Sequence, residues 1–384
     1  MGAGSGAVSV SAGSVANNRG TIVASAGALG LTASGDIDNS DGTLSAKGGA
    51  LSVSGQALTN NGSGVVYASG SLTATLAQYN ATQGASVASD ATLDLTASGT
   101  VQNDGQLLSA QGMTLAAQGG LVNDSHGQMV ATTGGLSITA QGPGLTNNGQ
   151  LGTLDSGAVS LNGARYAGSG LVQSADSLTL RIDGLASVGG SLLAGKGDLS
   201  LTAGALSSSG QIGAQNGSLG VFVQDALRNS GTLYGATGTT IRAGGALDNS
   251  DGQIGAGSGA VSVSVSAGSV ANNRGRIIAS AGALGLTVSG DIDNSDGTLS
   301  AKGGALSVSA QTLTNNGAGV IYASGPLTAT LARYNAAQGA SLASDATLDL
   351  TASGNVQNQG LVQSVNAMSI KADGGLDNGP SGRS

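Results

Sequence analysis

The carboxylate clusters and the lone histidine are the residues of this chain that could support metal or acid–base chemistry. Asp36-Ile-Asp38-Asn-Ser-Asp41-Gly42 gathers three carboxylates and recurs as Asp291, Asp293 and Asp296. Oxygen donors so close together suit calcium, but an EF-hand loop closes with a bidentate glutamate. The chain contains no glutamate. Nor does the cluster follow the glycine-rich nonapeptide of calcium-binding solenoids. Solvated turn carboxylates are expected instead, with no metal ligands. Asp90 and Asp94, repeated as Asp345 and Asp349, form a carboxylate pair by sequence separation alone. Glycoside hydrolysis needs two carboxylates facing one bond. Asp94 alternates with Leu93 and Leu95, so it should point outward from a strand, and no lysine or arginine lies close in sequence. His126, the single histidine, falls in Asn123-Asp-Ser-His-Gly, where a turn is expected, and no triad or metal set assembles around it. Gly2-Ala-Gly-Ser-Gly6 does not complete a dinucleotide fingerprint. The expectation is therefore no enzyme, no cofactor, and no catalytic, cofactor-binding or metal residue.

Three tyrosines break the regular pattern. Tyr79 in Leu76-Ala-Gln-Tyr-Asn-Ala-Thr-Gln-Gly84 has a copy, Tyr334, in Leu331-Ala-Arg-Tyr-Asn-Ala-Ala-Gln-Gly339, and Tyr166 lies in a similar irregular stretch. Tyrosine is an efficient contact residue. Two roles stay open: packing over a larger turn to shield the core edge, or forming a contact patch for a receptor or glycan.

The elements that would position these residues follow from composition. The chain has 384 residues, of which 69 are glycine, with no tryptophan and one phenylalanine. Its apolar content is Ala, Val and Leu, which fill only a narrow core at native density. Gly, Ser, Thr, Asn and Asp are poor helix formers. Gly, Ser and Asn are also common in disordered chains, but the regular alternation of Leu and Val with small polar residues argues against disorder. The net charge of −8 and the absence of any Lys/Arg run disfavour nucleic acid and anionic membrane as partners. No apolar stretch approaches a membrane span, so no membrane insertion is expected. Met1-Gly-Ala-Gly-Ser lacks signal-peptide character. Cysteine is absent, which excludes disulfides without fixing a compartment.

Two repeats are nested. Residues 12–105 nearly duplicate residues 267–360. A shorter unit recurs every ~20 to 24 residues. It reads as three strands: apolar-x-Asn, x-Leu-x-Ala, and Leu-x-Val or Leu-x-Leu. One example runs from Ile37-Asp-Asn39 through Leu44-Ser-Ala46 to Leu51-Ser-Val53. Period two turns Leu44 and Ala46 the same way, and likewise Leu51 and Val53. Gly and Asn-Gly fall where the chain must turn. The expected fold is all-β: a right-handed parallel β-helix of about eighteen coils, ~85 Å long at ~4.8 Å per coil. A single β-helical domain over 1–378 is expected, followed by a disordered tail, 379–384.

Asn17, Asn39, Asn60, Asn103, Asn123, Asn147, Asn229, Asn249, Asn272, Asn294, Asn315 and Asn358 each follow an apolar residue by two positions. That offset puts them on the inward side, where stacked coils would join them in an amide ladder. Solvent-facing turn residues are the alternative. The ladder should lapse at Leu185-Ala-Ser187 and Leu206-Ser-Ser208.

The pattern Leu-x-Asn-x-x-Gly-x-Leu-x-Ala-x-Gly-x-Leu-x-Leu, as in Val101 to Leu115, resembles the repeats of filamentous haemagglutinin and related exoproteins of Gram-negative two-partner secretion, including the stalks of contact-dependent inhibition toxins. The likeness spans essentially the whole chain. It implies a secreted or surface-exposed fibre that holds an adhesive or toxic tip away from the cell. It also implies an outer-membrane transporter as partner during secretion, and a host or neighbour-cell receptor or glycan. No amino-terminal secretion domain or carboxy-terminal effector domain is recognisable, so an internal fragment is expected. The alternatives are a glycan- or receptor-binding module using the tyrosine coils and, behind it, a β-helical polysaccharide-active enzyme.

Overall fold

The computed structural model describes residues 1–266 and 268–379, with the backbone alone for 263–265. Apart from Gly379, whose N–H donates to the Asn358 carbonyl at 3.0 Å, the expected tail lies outside these residues. The chain is a parallel β-solenoid of about 18 turns, and no helix occurs among the described residues. It divides into two compact units. The first comprises Met1–Leu185 with Gly189–Gly195, and the second comprises Ala186–Val188 with the chain from Lys196 on.

A coil of the first unit shows why the sequence closes. It consists of the strands Gln106–Ser109, Met113–Ala117 and Leu121–Asn123. Leu107, Met113, Leu115, Ala117, Leu121 and Asn123 are buried, and each alternates with a more exposed residue. Burying each leucine contributes roughly 1.5–3 kcal/mol. The backbone polar groups are satisfied only by neighbouring coils, since one coil has no partner for its own strands. Leu107 pairs with Val87 and Met129, Met113 with Leu93 and Leu136, and Leu121 with Val101 and Leu145, all in parallel. Within each unit the x-Leu-x-Ala strands pair with one another, and the other two strand types belong to a second network.

The second unit repeats this scheme. Val320–Ala323 and Leu327–Ala336 build one of its coils, paired with Ser341–Ser344 and Leu348–Ala352 on the following coil. Leu327–Ala336 also departs from the three-strand expectation, because two strands are fused into one. The same fusion occurs at Leu51–Asn60, Leu72–Ala81, Leu199–Ser208 and Leu306–Asn315. Within Leu72–Ala81 the buried positions are Leu72, Ala74, Leu76, Tyr79 and Ala81. The step from 76 to 79 is three residues rather than two. That slip of phase turns the corner while the backbone stays extended.

The turn after each asparagine is tight. In Asn39-Ser-Asp-Gly42 the Gly42 N–H donates to the Asn39 carbonyl at 3.0 Å, and Asp41 adopts a left-handed φ of 55°. A Cβ on Gly42 would meet the Asn17 carbonyl oxygen at 2.0 Å. Glycine is required there by the close approach of the preceding coil.

Candidate functional site: the interior asparagine ladder

The asparagines lie in the interior of the coils. In the first unit Asn17 Nδ2 donates to Asn39 Oδ1 at 2.7 Å, and Asn39 to Asn60 at 2.8 Å. Asn103 donates to Asn123 and Asn123 to Asn147, both at 2.9 Å. In the second unit Asn229, Asn249, Asn272, Asn294 and Asn315 form one run with links of 2.7–2.9 Å. Asn358 donates to Asn378, a residue outside the expected set, at 2.9 Å. Every link runs from the amide of one coil to the oxygen of the next. The amide nitrogens also hold the turns: Asn39 Nδ2 reaches the Gly42 carbonyl at 3.3 Å and the Val65 carbonyl at 3.1 Å. Asn39, Asn123 and Asn272, among others, thus serve both their own turn and a neighbour's side chain, in an interior where an unmade hydrogen bond is costly.

Three of the coils that interrupt the ladder have a small residue two places after the apolar position. Ala81 pairs with Asn60 and Asn103, and Ala336 with Asn315 and Asn358. Gly168 follows the pairing of Ala167 with Thr146, which brings it level with Asn147. In all three coils the apolar position is a tyrosine. Tyr79 is in register with Leu58 and Val101, Tyr166 with Leu145, and Tyr334 with Leu313 and Val356. The exposures of Tyr79, Tyr166 and Tyr334 are 0%, 1% and 0%. Of the two roles left open for them, this burial fits packing in the core and leaves no ring surface for a receptor or glycan. The larger ring goes with the smaller neighbour, which keeps the interior filled. Burial raises the pKa of all three hydroxyls. Tyr166 is pushed up to about 12, partly offset by a hydrogen bond with Asn147. The Tyr334 hydroxyl lies beside the Asn315 side chain without completing a hydrogen bond, and the Tyr79 hydroxyl is also unpartnered.

The lapse read at Leu185-Ala-Ser187 is shifted by one residue. Leu185 is exposed, whereas Ala186 and Val188 are buried. Ser209 N–H donates to the Val188 carbonyl as Ser230 N–H does to that of Ser208, so Val188 holds the ladder position. Ser208 is buried beside it, its hydroxyl unpartnered.

The carboxylates are held as turn caps. Asp38 Oδ1 accepts from the N–H and hydroxyl of Ser40 at 3.0 and 2.6 Å, and Asp41 Oδ1 accepts from the Ser63 N–H at 3.0 Å. Those bonds hold the pKa of both carboxyls below its ordinary value. Among the described residues no group of three His, Asp or Glu could hold a metal. Asp90 accepts the Tyr67 hydroxyl at 2.5 Å, a contact repeated by Asp345 and Tyr322 and not foreseen from the sequence. Asp94 is exposed on its strand. His126 Nδ1 lies 3.2 Å from Asp104 Oδ1 on an exposed turn, and Ser125 Oγ approaches that same nitrogen at 3.5 Å. Serine and carboxylate compete for one ring atom, so no proton relay is formed.

The fold and its interior define a parallel β-solenoid held by side-chain ladders as well as backbone ladders. The haemagglutinin repeat model matches residues 3–62, 67–149, 254–317 and 322–379, well over half of the chain. The chain belongs to the haemagglutinin repeat family, a structural and adhesin family of filamentous-haemagglutinin type. The unmatched stretch 150–253 contains the coils with Gly168, Val188 and Ser208 in place of asparagine. No curated protein and no solved structure matches the chain.

Proposed function

We propose that this chain is a stalk segment of a large secreted or surface-exposed bacterial adhesin, in which stacked coils act as a stiff spacer for an adhesive or toxic tip. The observation that carries this reading is the interior. Its groups are spent on holding coil to coil, through the ladder of Asn103, Asn123 and Asn147 and the apolar rows beside it. Each coil depends on its neighbours for backbone and side-chain bonding alike, which makes coil number the adjustable quantity. Proteins of this family are typically secreted or surface-exposed. Secretion through an outer-membrane transporter and a non-enzymatic role belong to the same proposal.

The test uses the full-length protein lacking residues 93–158. Leu93, Met113, Leu136 and Val159 occupy the same register position, so this deletion removes whole coils and carries Val159 into the place of Leu93. Tip activity should persist in solution while the reach of cell-attached protein falls. Loss of tip activity in solution would contradict the spacer role.

A further inference from the structure

In the first unit two opposite charges stand two coils apart at the rim of the x-Leu-x-Ala strands, with a tyrosine midway between them. Lys47 follows the strand Thr43–Ala46, Ser69 follows Val65–Ala68, and Asp90 follows Ser86–Ser89. These three residues are stacked: the Ser69 N–H donates to the Ala46 carbonyl at 2.9 Å, and the Asp90 N–H to the Ala68 carbonyl at 3.0 Å. On the middle strand Val65 and Tyr67 point outward. Val65 is in register with Thr43 and Ser86, and Tyr67 with Ser45 and Ala88. These neighbours are smaller, so the tyrosine is the bulkiest outward group of the face. Its hydroxyl donates to Asp90 Oδ2 at 2.5 Å, which fixes the ring.

The near-duplicate segment repeats this face in the second unit with Lys302, Tyr322 and Asp345. Between the copies the interior of these strands differs, with Val66 against Ile321 and Val87 against Leu342. Every outward residue is the same in both, from Thr43 to Lys47, Val65 to Ser69 and Ser86 to Asp90. All four charged residues are exposed. No ion pair among the described residues involves Lys47, Asp90, Lys302 or Asp345. Two coil steps, ~10 Å at the usual strand spacing, hold each lysine away from the aspartate of its own face.

We propose that this face pairs with the same face of a second copy of the chain, with the two coil axes antiparallel. A two-fold axis along the strand Val65–Ala68 turns one face onto the other and exchanges the coils on either side of that strand. Lys47 then meets Asp90 of the second copy and Asp90 meets its Lys47, while Val65 and Tyr67 pack against their counterparts at the centre. Charge complementarity selects this orientation. With the coil axes parallel, like charges come level with like and repel. Asp90 serves two contacts, its Oδ2 accepting the Tyr67 hydroxyl and its Oδ1 left for the lysine. The Tyr322 face pairs in the same way, with itself or with the Tyr67 face, because the two carry the same residues. So small a contact gives a reversible association that salt weakens. The spacer role does not depend on this pairing.

Sedimentation velocity of the whole chain over a range of concentrations tests this. The chain should self-associate at low ionic strength and dissociate in roughly 0.5 M salt. Reversing the lysines, Lys47→Asp with Lys302→Asp, should weaken association roughly a hundredfold, because attraction becomes repulsion. Reversing the aspartates, Asp90→Lys with Asp345→Lys, should do the same. An equimolar mixture of the two variants should associate again, since each then faces the opposite charge on the other. Tyr67→Ala with Tyr322→Ala should weaken association of the otherwise unchanged chain roughly tenfold. Circular dichroism of each variant separates lost pairing from lost fold. A monomer at every concentration would overturn the proposal. So would association indifferent to both reversals, which places the contact elsewhere, or a mixture of folded variants that stays monomeric.

Discussion

Ala81 stands in register between Asn60 and Asn103 and separates two runs of the interior ladder. Its methyl group offers nothing to the Asn103 Oδ1, which is buried without a partner. The same coil brings in Tyr79, whose hydroxyl is also unpartnered. The bulk of the ring is useful there and its oxygen is not. Tyr79→Phe is therefore expected to leave stability unchanged or raise it by up to ~1–2 kcal/mol, because a buried unsatisfied group is removed. Tyr79→Ala should cost ~3–5 kcal/mol through the cavity it leaves. Urea denaturation midpoints decide. A clear loss in Tyr79→Phe would show that the hydroxyl has a partner.

Within a run the asparagine is needed for its polarity. Asn123 accepts from Asn103 and donates to Asn147, Gly127 and Gln150. Asn123→Leu keeps the volume close but strands those groups, at a cost of ~1–3 kcal/mol. Amide exchange should quicken first in the coils that contain Asn103 and Asn147. An unchanged midpoint with unchanged exchange would contradict the ladder's contribution.

The left-handed turn position couples adjacent coils. Asp41 has a φ of 55° and Gly62 one of 62°, and a Cβ on Gly62 would lie 2.3 Å from Asp41 Oδ1. Gly62→Ala should destabilise by ~1–2 kcal/mol from the left-handed backbone alone, with the clash adding to it. Introducing Asp41→Gly should recover the part due to the clash. A double-mutant cycle with no coupling between the two sites would show that the turns adjust independently.

Stability should fall at both extremes of pH. Hydrogen bonds from Ser40 to Asp38, from Ser63 to Asp41 and from Ser218 to Asp198, and the Arg274 pair with Asp251, hold these carboxyls below their ordinary value. A carboxyl whose folded-state pKa is depressed contributes stability above the unfolded pKa and loses it as pH falls through the folded one. The denaturation midpoint should therefore be level down to about pH 4 and decline below it. Tyr79, Tyr166 and Tyr334 are raised by burial. Their contribution is complete below the unfolded value and is lost as pH climbs past about 10. Tyrosinate absorbance rising together with unfolding would mark the alkaline limb. A midpoint insensitive to acid would contradict the turn-cap role of the aspartates.

The inward face was legible wherever an apolar residue and an asparagine kept a two-residue offset, as in Leu58-Thr-Asn60, because strand side chains alternate with period two. The offset misled at Leu185-Ala-Ser187. There Leu178–Val188 is one continuous strand whose phase slips at a corner, which puts Ala186 and Val188 inside. No local pattern marks that slip. The burial of Tyr79 depends on its register with Leu58, a relation between coils that spacing along one coil does not show.

In the proposed spacer, coil number sets length. Electron cryomicroscopy of the full-length protein with and without residues 93–158 measures it directly. The register of Leu93, Met113, Leu136 and Val159 makes this the loss of three coils. The fibre should shorten by ~14 Å while its axial repeat stays at ~4.8 Å. An unchanged length, or loss of the axial repeat beyond the junction, would contradict the account.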